Sequence, residues 1–166
     1  MFGLRSDYLN SLTAQALKTK KNWQGVYPCD DFKKCVLQDD QLYICNLSSK
    51  KAISGGTHYI AICIKNNNIY YFDSYGYQCY DTNILESMKK SGKNIIYSKV
   101  SIQHVDSYFC GFFSLAFLLL SEQYLNPIDL INSCFNTKNL IRNEIICINM
   151  IKNSLNKISL LENLSQ

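Results

Sequence analysis

The chain has only two histidines, two prolines and one tryptophan, and none of its eight cysteines forms a Cys-x-x-Cys pair. That leaves no ordinary ligand set for a structural zinc ion, so no metal or other required cofactor is expected. No apolar run approaches the ~20 residues of a membrane-crossing helix; Phe112–Leu120, the strongest, falls well short, and no membrane partner is expected. The first residues, Met1-Phe-Gly-Leu-Arg-Ser-Asp7, lack the apolar centre of a secretory signal. Cys63 and Cys147 lie inside apolar stretches, where a reduced cysteine acts as a small hydrophobe. Reduced thiols in an intracellular compartment are therefore expected. Repeats, low-complexity tracts and linkers are also missing, so residues 1–166 are read as one domain.

What is present is a globular composition, 47% apolar with only 18% charged residues. The formal charge is +4, nearly all of the cations being lysine. This suits weak attraction to a polyanion and falls short of a dedicated nucleic-acid binder. A monomer is expected.

Hydrophobic spacing gives the coarse architecture. Tyr8, Leu9, Leu12, Ala16 and Leu17 recur at helical intervals, predicting a helix over 7–20 with Ser6 as its cap. Trp23–Asp30 reads as a turn-rich segment, and Gln41–Leu47 as a short strand. Gly55-Gly56 marks a tight loop before a strand at Tyr59–Lys65. Asn66-Asn-Asn68 turns the chain back into Ile69–Phe72, making a hairpin of residues 58–73. A helix over Asn83–Lys90, capped near Asp81 or Thr82 and stopped by Gly92, precedes a strand over Asn94–Ile102. An apolar helix starts at Cys110, Asn126-Pro127 reads as a cap and first helical turn, and a long amphipathic helix follows Thr137. The expected class is α+β: a central helix on a small, mostly antiparallel sheet, with helices at both ends.

The chemistry concentrates at four residues. Cys110 opens the apolar helix, and a helix N-terminus favours thiolate over thiol. His58 stands just before the hairpin and Asp73 just after it, so antiparallel pairing brings imidazole and carboxylate together. Gln103 lies seven residues before Cys110 and offers a neutral amide to an oxyanion. Taken singly, each has an ordinary structural reading as core cysteine, loop histidine, turn former or polar loop residue. Together they describe a cysteine protease. Asp73 orients His58, His58 pairs with the Cys110 thiolate, and Gln103 with the Cys110 N–H receives the oxyanion. Gly111 leaves space for a substrate backbone; Gly56 and Tyr59, which flank His58, are the other expected substrate contacts.

Gly55-Gly-Thr-His58-Tyr59, the acidic Asp73 after the hairpin, and Gln103-x6-Cys110-Gly111-x-Phe113 resemble the adenain-type maturation proteases of adenoviruses, virophages and polinton-type elements. The resemblance covers about residues 23–120, including Gly25-Val-Tyr-Pro-Cys-Asp30. It implies a papain-like, adenain-like fold and a viral maturation endopeptidase that cleaves capsid and core precursor proteins at small-residue sites such as Gly-Gly. It also implies a location in the virion and the interior of the infected cell. Asp73 stands where the adenovirus enzymes carry Glu, and Tyr59 where Trp is usual. Residues 81–102 hold no cysteine to anchor a disulfide-linked activator, so any activator is expected to be a noncovalently bound peptide or nucleic acid. The rival within the same chemistry is a SUMO- or ubiquitin-like-protein-specific protease. Those enzymes typically have Asp before the nucleophile and glutamine six residues ahead, whereas Phe109 and a spacing of seven stand here. A catalytically inert binding module and a nucleic-acid-binding structural protein are the readings outside enzymology.

Overall fold

A computed structural model describes residues 6–18, 20–50 and 57–164. Gly55 and Gly56, expected as a loop and a substrate contact, lie outside them.

Five strands form one mixed sheet: β1 Trp23–Pro28, β2 Leu42–Asn46, β3 Tyr59–Lys65, β4 Asn68–Phe72 and β5 Asn94–Tyr97, side by side in that order. β3 runs antiparallel to both β2 and β4, while β1 and β5 join the two edges in parallel. Half of the pairings are parallel, so the sheet is not the mostly antiparallel one expected. The helices are α1 Ser6–Leu17, α2 Cys29–Phe32, α3 Thr82–Lys90, α4 Cys110–Leu120, α5 Asp129–Cys134 and α6 Asn143–Leu164.

β3 explains the layering. Its near-continuous apolar sequence has every residue but the last buried, as befits a strand covered on both faces. Tyr59, Ala61 and Cys63 face a core shared with α1, α4, α5 and α6. Ile60, Ile62 and Ile64 face the opposite core, closed by α2 and α3. Because α4 lies between the sheet, α1 and α6, its apolar residues are buried on nearly all sides. Phe117 stacks on Phe72 of β4 at 4.6 Å between centroids, which ties this helix to the hairpin. Deleting such a buried ring costs about 3–5 kcal/mol.

Local chemistry accounts for the turns. Asn66 and Asn67, at φ 52° and 59°, make the tight β3–β4 connection in a conformation asparagine tolerates. Asp81 caps α3 by accepting from Ile84 N–H at 3.0 Å.

Several expected elements differ. Trp23–Asp30 holds β1 and the start of α2 where a turn was expected. Gly25, at φ 129°, causes a register shift without ending the strand, and Pro28 ends it on a sheet edge. β5 stops at Tyr97, five residues early, because the chain then leaves the sheet; Ile102 N–H bonds the Ser74 carbonyl instead. Asn126 forms a turn, accepting from Ile128 N–H, and α5 begins only at Asp129. α1 ends at Leu17, and Ser6 belongs to the helix. No helix among the described residues is long and apolar enough to cross a membrane.

Candidate active site

The β3–β4 register fixes the first half of the site. Ala61 pairs with Phe72, so the same register carried past the strands sets His58 opposite Tyr75 and diagonal to Asp73. His58 Nε2 lies 3.0 Å from Asp73 Oδ1, with the carboxylate fully buried and the imidazole 11% exposed. The chain around both is held. Leu47 N–H donates to the His58 carbonyl at 2.9 Å. Asp73 N–H donates to Ser98 Oγ at 3.1 Å. Asp73 Oδ1 also accepts from Tyr75 N–H at 2.8 Å, and Gly76 N–H closes the turn on the Asp73 carbonyl. Gly76 sits at φ 77°, and a Cβ there would come within 2.8 Å of the Val100 carbonyl carbon. Only glycine fits this turn.

The His58–Asp73 contact is short but its Nε2 is not well aligned on the acceptor, and Asp73 Oδ2 has no partner. A buried carboxylate with one oxygen unsatisfied needs a cation beside it. The imidazole supplies that charge. Burial pushes its pKa down, but Asp73 and then Cys110 outweigh burial and lift it to about 9.

Cys110 is the first residue of α4 and is partly exposed. No side chain caps this helix start, so its first N–H groups have no partner within the helix. Of the other cysteines, 29, 45, 63, 79 and 147 are buried. Burial raises the thiol pKa of each, Cys63 and Cys79 to about 11. Cys35 is raised as well, by burial and then Asp31. His58 and Cys110 line a groove of about 440 Å³ whose walls include Tyr75, Tyr77, Tyr80 and Tyr108.

The remaining expected residues fare differently. Gln103 is 1% exposed and its amide is fully engaged. Oε1 accepts from Ser74 Oγ at 2.6 Å, while Nε2 donates to Tyr75 Oη at 2.9 Å and to the Ser107 carbonyl at 2.8 Å. It stands next to the groove through its partners, with neither hydrogen free. Gly111 is buried: a Cβ there would meet Leu9 Cδ2 of α1 at 2.9 Å and Tyr59 at 3.5 Å. Its small size serves the packing of α1 on α4, a correction to the substrate-approach role. Tyr59 is likewise a core residue, 2% exposed, with its carbonyl accepting from Ser114 Oγ. His104 is 43% exposed and turned toward Asp106, whose N–H it accepts at Nδ1.

Sequence reasoning missed Ser74, Tyr75, Ser98 and Ser107. Ser74 and Tyr75 had a signal in their place directly after Asp73, at the mouth of the hairpin. Ser98 and Ser107 reach the site through tertiary contacts that no spacing announces. Among the described residues, no group of three or more His, Cys, Asp or Glu could hold a metal ion. No protein-family model matches the sequence, and no curated protein matches it.

Proposed function

We propose that the chain is a cysteine endopeptidase with Cys110 as nucleophile, His58 as acid and base, and Asp73 as the group that holds His58 charged and oriented. The observation that carries this reading is the 3.0 Å contact between His58 and a fully buried Asp73, with Cys110 also raising the imidazole to about 9. An imidazole that stays protonated at neutral pH suits a thiolate–imidazolium pair. In that pair the Cys110 sulfur attacks the peptide carbonyl carbon, and His58 gives its proton to the leaving amine as the C–N bond breaks. Water then attacks the thioester, His58 takes a proton from it, and the Cys110 thiolate departs with the acid released.

The uncapped start of α4 supplies the Cys110 N–H to the developing oxyanion. Gln103 is the proposed second donor, and it must first let go of the Ser107 carbonyl on the groove wall. An extended peptide is the substrate that a groove of this size and aromatic lining suits.

The finer reading is an adenain-type maturation protease with a papain-like arrangement, in which the cysteine-bearing helix packs on the strand that follows the histidine. It rests on the sequence resemblance. Its substrates would be capsid and core precursor proteins in the virion or infected cell, cut at Gly-Gly-like sites. Such an enzyme would be active without a disulfide-linked peptide and indifferent to reductant. Any polyanion stimulation would fade as salt rises.

The test is labelling with a Gly-Gly vinyl-sulfone peptide, followed by mapping of the modified residue. Modification at Cys110, lost in His58→Ala, supports the reading; modification at another cysteine, or none, overturns it. Competition of that labelling by ubiquitin-like proteins but not by capsid-precursor peptides would move the substrate class to the ubiquitin-like family.

A further inference from the structure

Tyr75 touches three parts of the site at once. Its N–H donates to Asp73 Oδ1, the oxygen that faces His58 Nε2. Its ring centroid lies 5.2 Å from that of His58, the planes tilted by 31°. Its hydroxyl accepts from Gln103 Nε2 at 2.9 Å and donates to the Ser107 carbonyl at 3.2 Å. The same side chain lines the groove beside Cys110.

We propose that Tyr75 is a positioning residue for the reaction, its hydroxyl fixing the Gln103 amide and its ring fixing the His58 imidazole. This rests on the peptidase reading above. A glutamine side chain has three rotatable bonds and would not hold one amide orientation unaided. Here Ser74 Oγ fixes its oxygen and Tyr75 Oη fixes one N–H, so two anchors set the amide plane. The second N–H then bonds the buried carbonyl of Ser107, a residue that lines the groove, and the proposed oxyanion would take that carbonyl's place. An aromatic ring beside an imidazolium also favours its charged form. Ring and hydroxyl are separable, because phenylalanine keeps the first and loses the second.

The experiment measures kcat and KM for the best peptide that the wild type cleaves from a random decapeptide library. Thermal midpoints are recorded alongside. Tyr75→Phe should lower kcat about tenfold, the worth of one hydrogen bond, and leave KM within about twofold. In a Gln103→Ala background the same substitution should add almost nothing, because the hydroxyl acts through that amide. An unchanged kcat, a change in KM alone, or an equal loss in the Gln103→Ala background would each overturn the inference. A wild type that cleaves nothing in the library instead overturns the peptidase reading beneath it.

Discussion

His58 and Asp73 meet across the open end of one hairpin, Nε2 to Oδ1 at 3.0 Å, with one carboxylate oxygen left unpartnered in the interior. The two groups form a close buried pair, and its strength should follow the protonation of His58.

The first prediction concerns pH. His58 titrates at about 9 in the folded chain against an ordinary 6.5. The stabilisation from its proton is thus complete below pH 6.5 and lost as pH rises from 6.5 through 9. Denaturant unfolding of the wild type should show a loss on the order of 3 kcal/mol across that window. Asp73→Asn should show much less of this slope, though it is weaker at every pH below it. Parallel slopes in the two proteins would mean that Asp73 does not hold the charge.

The two histidines should separate cleanly. His58→Ala removes the proposed base and the partner of Asp73 together and should lower cleavage by orders of magnitude. His104 is half-exposed and faces Asp106, so His104→Ala should leave turnover within a few-fold. The reverse ranking in steady-state assays would reject the assignment.

Much of the candidate site's geometry is legible in the sequence. His58 and Asp73 bracket an apolar stretch broken by three asparagines, a local pattern that specifies a hairpin and hence a meeting of its ends. Cys110 stands at an abrupt change from polar to apolar sequence, which marks a helix start. Asp81 and Gly92 likewise delimit α3. What escaped was set by distant contacts. Gly25 and Pro28 look like turn residues, and only pairing with β2 makes their segment a strand. Gly111 looked open to substrate because Leu9, which fills the space beside it, is far away in the chain. The engagement of Gln103 depends on Ser74, Tyr75 and Ser107, whose convergence no spacing rule contains.

Gln103 should consequently affect more than turnover. Replacing one oxyanion donor typically lowers kcat about 10²–10³-fold. In addition, Gln103→Ala removes the acceptor of Ser74 Oγ and leaves Tyr75 Oη and the Ser107 carbonyl with only each other, a loss of about 1–3 kcal/mol of stability. Lower kcat, near-constant KM and a lowered thermal midpoint should appear together. Gln103→Glu should be worse still, because it sets a like charge where the proposed oxyanion develops. A change confined to KM would place Gln103 among the substrate contacts.

Gly111 should behave as a packing residue. Gly111→Ala drives a methyl toward Leu9 and should cost about 1–3 kcal/mol. Leu9→Ala, destabilising by itself, should relieve that clash, so the double variant is less damaged than the sum of the singles. Additive losses in thermal unfolding would show that α1 does not press on this glycine.

The most direct measurement is cleavage of a random peptide library by wild type and Cys110→Ala at matched thermal stability. The expected result is defined cleavage by the wild type and none by the variant, with thermal midpoints nearly equal, because Cys110 lies at a partly exposed helix start. Cleavage that survives in Cys110→Ala, or a correctly folded wild type that cuts no peptide, would contradict it.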